Sequence, residues 1–171
     1  MHDQHHIDIP SIRRRYADLP PRFVFVSIGS QTLSLIDNGR VLRRYPVSTS
    51  AHGVGAELNS FRTPPGKHRI ARKIGNRAPA GAIFRHREET GRRWRGEGLD
   101  DDLIISRILQ LEGLEDTVNR GPGVDSLQRC IYVHGTNHEG RIGTPSSHGC
   151  IRMRSADIIE LFDSVSEGTI V

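Results

Sequence analysis

Long apolar runs and cysteines are both scarce in this chain. No stretch of the 171 residues approaches the roughly 20 apolar positions of a membrane-spanning helix. Two cysteines, Cys130 and Cys150, are too few for the disulfide framework of a small secreted scaffold. In the polar leader 1–21, three arginines follow the short Ile7–Ile12 patch, whereas a secretory signal carries its positive charge before an apolar run of about 7–15 residues. We therefore expect no membrane partner and, if Met1 is the natural start, a cytoplasmic protein; a start further upstream would make it periplasmic.

Charge and composition favour a folded domain with a basic surface. Hydrophobic residues make up 35% of the chain and the formal net charge is +4, with arginine supplying most of the positive charge. An acidic small substrate, an anionic polymer and nucleic acid all suit such a surface, because guanidinium groups bind carboxylates and phosphates with paired hydrogen bonds. A solvated surface without such a role suits it equally. The segment Arg85–Arg95 holds five arginines and one tryptophan, but its alternating charges favour a solvated loop, so we predict no nucleic-acid partner.

Strand signals dominate the pattern of residues. Strands are predicted over residues 22–28, 32–36, 41–47, 67–71, 103–111, 129–134 and 169–171. The first three form an antiparallel meander, because Asp37-Asn38-Gly39 is a hairpin turn signal. Residues 48–60, 75–101 and 112–128 are predicted as loops.

One clear helix is predicted, over residues 155–165, with Ser155 as its N-cap. Its apolar residues recur at helical spacing: Ala156, Ile159, Phe162 and Val165. The chain is thus expected to be mostly β, with a leader over 1–21 and a single domain over 22–171 that contains one clear helix following Cys150.

Residues suited to cysteine catalysis lie near the end of the chain. Acyl transfer through a thiol needs a base and backbone N–H groups that hold an oxyanion. The turn Ser147–Cys150 can aim successive N–H groups at one point, and the positive end of the following helix favours a thiolate. His134, sixteen positions before Cys150, suits the base. It has no evident Asp or Asn partner, so we expect a backbone carbonyl to orient its ring.

Cys130 and the remaining histidines raise two alternatives. Cys130 is predicted on the same strand face as His134 but about 13 Å away, which places it in the core and argues against a disulfide with Cys150. A zinc site is the second alternative, with the ligands His134, His138, His148 and Cys150. The chain lacks Cys-x-x-Cys and His-Glu-x-x-His, so a free thiolate without metal or cofactor is favoured. His2, His5 and His6 are expected at a frayed terminus rather than in a metal site.

With these residues in place, the chain resembles the L,D-transpeptidase (YkuD-type) catalytic domain family. The motifs that carry the resemblance are His134-Gly135-Thr136-Asn137, Ile142-Gly143 and Ser147–Met153, with weaker agreement at Tyr45–Thr49 and Thr63–Gly66. The resemblance implies a β-sandwich-like fold with the site in a cleft.

The resemblance also implies roles for individual residues. Cys150 is expected as nucleophile and His134 as its base, with the backbone N–H groups of His148, Gly149 and Cys150 as the oxyanion hole. Arg152 is expected either to bind a substrate carboxylate or to brace the cleft wall. The remaining residues expected to line the substrate site are Gly135, Ser147 and Tyr132.

The substrates that the resemblance implies are peptidoglycan stem peptides. Cys150 would attack the carbonyl of an L-centred diamino acid and expel the terminal D-alanine. An amine acceptor gives a 3–3 cross-link, a free D-amino acid gives exchange, and water gives L,D-carboxypeptidase activity. Without a visible export signal we expect the carboxypeptidase, acting on free muropeptides in murein recycling, and acylation by carbapenem-type β-lactams. A non-catalytic wall or nucleic-acid binding module is the alternative from another class, but the intact cysteine–histidine pair argues against it.

Overall fold

A computed structural model describes residues 7–98 and 100–171. The three histidines predicted at a frayed terminus, His2, His5 and His6, lie outside these residues. Inside the predicted leader, a short helix α1 runs over Ile9–Arg15, and the Asp8 carboxylate caps it by accepting the Ser11 N–H at 2.9 Å. Arg13 donates to the carbonyl oxygens of Leu19 and Pro20 at 3.0 Å each, which ties the helix to the chain that follows.

The first sheet is the predicted antiparallel meander, in the order β1-β2-β3. Its strands are β1 Arg22–Ser27, β2 Thr32–Asp37 and β3 Arg40–Pro46. Asn38 and Gly39 both have positive φ, 47° and 75°, which is the geometry of a two-residue hairpin whose twist matches its strands. The turn signal in the sequence therefore had the physical meaning assigned to it.

The second sheet has six strands and carries the predicted catalytic residues. Its strands are β4 His68–Ile74, β5 Ala82–Arg85, β6 Glu88–Arg93, β7 Ile104–Gly113, β8 Tyr132–Thr136 and β9 Ile151–Met153. The order is β6-β5-β7-β8-β9, with β4 also paired to β7. Only the β8–β9 pair among these is parallel; it sets Val133 beside Ile151 and His134 beside Arg152.

The core lies between the two sheets and helix α2, Ser155–Ser164. Leu33 and Leu35 of the first sheet, Val133 and Met153 of the second, and Leu161 of α2 are all at most 2% exposed and belong to one cluster. The sequence predicted a strand over 169–171. In the structure these residues hydrogen-bond to both β1 and β4 and so join the sheets, although they form a bridge and no regular strand.

Several predicted boundaries were wrong. The predicted loop over 75–101 contains the β5–β6 hairpin, whose turn residues His86 and Arg87 take positive φ without glycine or asparagine to signal it. Every residue of β6 is exposed, so it shows no apolar alternation. The α2 N-cap is Arg154 rather than Ser155, because Arg154 has extended backbone angles and Ser155 is already helical. The Ser155 N–H donates to a Glu139 carboxylate oxygen at 2.8 Å.

The structure is mostly β, as predicted, but its described part has two α-helices rather than one clear helix. No helix in the described ranges is long and apolar enough to cross a lipid bilayer.

Candidate active site

His134 lies on β8 in the middle of the second sheet and is 3% exposed. Its Nδ1 faces the carbonyl oxygen of Gly135 at 2.8 Å, which confirms that a backbone carbonyl orients the ring. Because a carbonyl only accepts hydrogen bonds, Nδ1 carries the proton and the lone pair is on Nε2. Burial, with a smaller contribution from the Arg152 charge, lowers the pKa of His134 to about 4. At neutral pH the ring is therefore a neutral acceptor.

Gly135 is a packing requirement of this arrangement. A Cβ at this position would collide with the carbonyl oxygen of Ile105 on the neighbouring strand. The residue is buried, and its own carbonyl holds the His134 ring. The structure thus shows Gly135 positioning the His134 ring, and its contact with substrate stays a prediction.

Cys150 ends the tight turn before β9, and main-chain groups hold its sulfur. Sγ accepts the Tyr132 N–H at 3.4 Å and lies 3.5 Å from the Cys130 carbonyl oxygen, to which the thiol donates. Burial raises the pKa of Cys150 to about 11, while the Tyr132 N–H and the Arg152 charge oppose that rise. The resting sulfur is a thiol rather than a thiolate.

Helix α2 does not supply the stabilisation of a thiolate that the sequence suggested. Strand β9 separates Cys150 from Ser155, and the first N–H of the helix is taken by Glu139. The charge that acts on the sulfur comes from Arg152 instead.

The turn Ser147–Cys150 is braced from inside by Ser147, which is 1% exposed. The Ser147 hydroxyl donates to the Cys150 carbonyl oxygen at 2.5 Å and accepts the Gly149 N–H at 3.2 Å. Thr63 fixes the same turn by donating to the Gly149 carbonyl oxygen at 2.9 Å. With the Gly149 N–H engaged, the N–H groups of His148 and Cys150 remain for the predicted oxyanion hole.

A buried polar layer beneath this turn was missed by sequence reasoning. Ser48, Thr49 and Ser50 fall in a predicted loop yet are at most 1% exposed. The Thr49 carbonyl accepts the N–H groups of Ser146 and Ser147, and Gln31 binds both the N–H and the hydroxyl of Thr49. The Tyr45–Thr49 motif was the available signal, but a run of small polar residues indicates a loop by composition alone.

Arg152 lies beside the pair but is already engaged. Its side chain is 4% exposed, and its guanidinium makes an ion pair with Asp102 and donates to the Ser146 carbonyl oxygen at 3.2 Å. Asp102 is 40% exposed and also lies 4.0 Å from Nδ1 of His148. This geometry matches the bracing role expected for Arg152. Asp102 lies between the predicted loop 75–101 and the predicted strand 103–111 and was not predicted at the site.

Tyr132 and Cys130 link the site to the β5–β6 hairpin. The Tyr132 hydroxyl accepts a hydrogen bond from Arg87 Nη1 at 3.1 Å, and the Cys130 sulfur lies 3.7 Å from the same nitrogen. Placing Cys130 in the core was wrong, because β8 begins at Tyr132 and Cys130 precedes it in a turn with φ 55° and is exposed. Its carbonyl oxygen lies 3.5 Å from the Cys150 sulfur, and both thiols are free.

Three aromatic rings cluster at His148, two positions before Cys150. The rings of His52, Phe61 and His148 lie about 6 Å from one another. The four zinc ligands considered from the sequence are not assembled: in residues 7–98 and 100–171 no three His, Cys, Asp or Glu side chains are grouped to hold a metal ion.

Comparison with known proteins gives the same class. Residues 21–171 match the family described as the L,D-transpeptidase catalytic domain, YkuD. YkuD of Bacillus subtilis (strain 168), named as an L,D-transpeptidase, is 32% identical over 150 residues, covering 87% of this chain and 63% of that protein. YkuD of Bacillus licheniformis is 30% identical over 164 residues, covering 95% and 70%.

A solved structure shares the fold at lower identity. The L,D-transpeptidase LdtMt1, determined in complex with imipenem, is 20% identical with a TM-score of 0.52, covering 88% of this chain and 57% of that one. The chain thus spans a little under two thirds of the Bacillus subtilis relative and less of the solved protein. The chain belongs to the L,D-transpeptidase catalytic domain family.

Proposed function

We propose that this chain is a cysteine acyl-transfer enzyme that cleaves the bond between an L-centred diamino acid and terminal D-alanine in peptidoglycan stem tetrapeptides. One observation carries the proposal: a neutral imidazole, fixed by the Gly135 carbonyl, shares one electrostatic environment with a thiol held by main-chain groups. Arg152 lowers the pKa of both His134 and Cys150, and Asp102 raises both. The backbone also brings the two residues together: Tyr132, two positions before His134 on β8, donates its N–H to Cys150 Sγ, and His134 pairs with Arg152, two positions after Cys150.

The first half-reaction follows from these protonation states. His134 Nε2 takes the thiol proton as Sγ attacks the scissile carbonyl, since a thiol with a pKa near 11 is too weakly ionised to attack alone. The N–H groups of His148 and Cys150 stabilise the oxyanion. The imidazolium of His134 then protonates the departing amine of D-alanine. A thioester on Cys150 and free D-alanine are the products.

The second half-reaction defines the biological activity. Water on the thioester gives an L,D-carboxypeptidase, and the amine of a second stem gives a 3–3 cross-link. We propose that water is the acyl acceptor and that the chain acts in murein recycling in the cytoplasm. Localisation of the untagged protein tests the second part.

Acylation by a carbapenem belongs to the same proposal. The imipenem complex of LdtMt1, which shares the fold, supports it. The strained amide of such a drug presents a carbonyl to the same thiol, and no acceptor is required for a stable adduct. Intact-protein mass spectrometry with imipenem would therefore test Cys150 independently of the peptide acceptor.

A monomeric disaccharide-tetrapeptide assay read by mass spectrometry tests the reaction. Loss of one alanine supports the carboxypeptidase, and dimer formation supports the transpeptidase. If wild type forms neither product, or if Cys150→Ala forms either at the wild-type rate, catalysis at this site is refuted. Binding of intact sacculi without any thiol reactivity would favour the non-catalytic module instead.

A further inference from the structure

The tip of the β5–β6 hairpin carries a cation that contacts the side chains of Tyr132 and Cys130. Arg85 pairs with Glu88, so His86 and Arg87 form a two-residue turn, with φ of 50° and 69°. Side chains rarely adopt this left-handed conformation. The turn places Arg87 against the site, where its Nη1 donates to the Tyr132 hydroxyl at 3.1 Å.

Both partners of Arg87 are residues whose main chains hold the catalytic sulfur. Tyr132 gives its N–H to Cys150 Sγ, and Cys130 offers its carbonyl to the same atom. The Arg87 guanidinium lies on the side chains of these two residues, 3.1 Å from the Tyr132 oxygen and 3.7 Å from the Cys130 sulfur. The cation is therefore anchored on the two residues whose main chains contact the Cys150 sulfur.

Arg87 has no carboxylate partner in the described ranges, and its guanidinium makes fewer hydrogen bonds to protein oxygens than those of Arg152 and Arg129. Arg152 is paired with Asp102. Arg129 is partly buried and donates to protein oxygens, including the Arg62 carbonyl at 2.8 Å. Arg87 contacts the Tyr132 phenol, whose pKa is raised to about 12 by burial, and the Cys130 sulfur. Both contacts use Nη1, and among the residues that the structure describes Nε and Nη2 donate to no protein acceptor.

We propose that Arg87 binds a carboxylate of the acyl donor and so selects donors that carry one close to the scissile bond. This inference deepens the proposed function and rests on it. A stem tetrapeptide carries such groups at two places, the terminal D-alanine and the far end of a diaminopimelate side chain. A guanidinium with two nitrogens available matches a carboxylate with two hydrogen bonds.

The test combines variants with chemically blocked donors. Arg87→Gln removes the charge at similar length, and Arg87→Lys keeps the charge without the planar fork. Arg92→Gln is the matched control, because Arg92 lies exposed on β6 of the same hairpin. The donors are the meso-diaminopimelate tetrapeptide as free acid, with its side-chain carboxylate amidated, and with its terminal carboxylate amidated.

We expect Arg87→Gln to raise KM for the free-acid donor about tenfold, the typical effect of losing a charged hydrogen bond. Arg87→Lys should recover part of the loss, and Arg92→Gln should match wild type. With wild type, amidation of one of the two carboxylates should raise KM by the same factor as Arg87→Gln does. With Arg87→Gln, the same amidation should cause no further rise, and this identifies the carboxylate that Arg87 binds. Equal losses on all donors, or none, would overturn the proposal.

Affinity in a catalytically inactive background separates this proposal from the proposed function. Calorimetry of the three peptides on Cys150→Ala, with and without Arg87→Gln, needs no turnover. Selective loss of free-acid binding in the double variant supports carboxylate recognition even if wild type releases no alanine. Peptide binding that is indifferent to both Arg87 and amidation would refute it, whatever the catalytic result.

Discussion

Two regions of the candidate site, called the inner and the outer wall, differ in burial and in the pairing of their polar groups. The inner wall, formed by β8, β9 and the Ser48–Ser50 segment, is buried, and its polar groups are paired: Arg152 with Asp102, Ser147 within the turn, His134 with Gly135. The outer wall is the β5–β6 hairpin, whose strand β6 is exposed throughout. Buried polar groups that are paired with one another keep fixed positions and do not readily change partners. An exposed cation can exchange its hydrogen-bond partners. We assign the acyl-transfer chemistry to the inner wall and the selection of the acyl donor to the outer wall.

The largest effect should come from removing the base on the inner wall. His134→Gln keeps a polar side chain of similar reach but cannot accept the thiol proton, so thioester formation should fall about a thousandfold. Rapid-quench mass spectrometry of the imipenem adduct measures it. Circular dichroism and a melting curve serve as the folding control. A loss below about tenfold would mean that another group deprotonates Cys150.

Acid should lower the free energy of unfolding through His134 on the inner wall. Between pH 6.5 and about 4 the unfolded chain binds a proton on His134 that the folded chain does not, so stability falls as pH falls through that window. The full shift corresponds to about 3 kcal/mol.

Urea unfolding at several pH values would measure this slope. His68 is also buried with a lowered pKa and adds a slope of the same sign. The His134→Gln variant isolates the His134 part. An unchanged pH slope in that variant would contradict the assignment.

Breaking the ion pair of the inner wall should have a smaller and two-sided result. Asp102→Asn leaves the Arg152 charge without its partner, which should lower the free energy of unfolding by about 1–2 kcal/mol given the partial exposure of Asp102. Because Asp102 raises the pKa of Cys150, its loss should speed alkylation of that thiol about twofold at pH 8.

The neighbouring Asp101→Asn controls for a general charge change. Chemical denaturation and iodoacetamide labelling followed by peptide mapping give the two readouts. Slower labelling of Cys150 in Asp102→Asn would reverse the electrostatic role assigned to that carboxylate.

The smallest effect is expected outside the inner wall, at Cys130. Cys130→Ala removes an exposed thiol in a turn, so stability should change by less than about 0.5 kcal/mol. In wild type, Cys130 should label faster than Cys150, whose sulfur is partly buried and has a raised pKa. Comparable labelling rates for the two thiols would contradict the difference in burial and pKa between Cys130 and Cys150.

The same contrast explains what the sequence could predict. The meander, the pairing of His134 with a backbone carbonyl and the helix after Cys150 all followed from local patterns with a direct physical cause. The β5–β6 hairpin did not, since a turn of His86 and Arg87 and a fully exposed strand have neither turn chemistry nor alternation. Asp102 was missed for another reason. Its role depends on a contact with Arg152, fifty positions away, that no local pattern encodes.

Main-chain atoms make the three contacts that set the reactive groups: the Gly135 carbonyl on the imidazole, and the Tyr132 N–H and Cys130 carbonyl on the sulfur. An alanine scan leaves all three in place, so it would understate how the site is held. Replacement of the amide preceding Tyr132 by an ester deletes one of them alone. No codon change short of proline removes that N–H from the Cys150 sulfur.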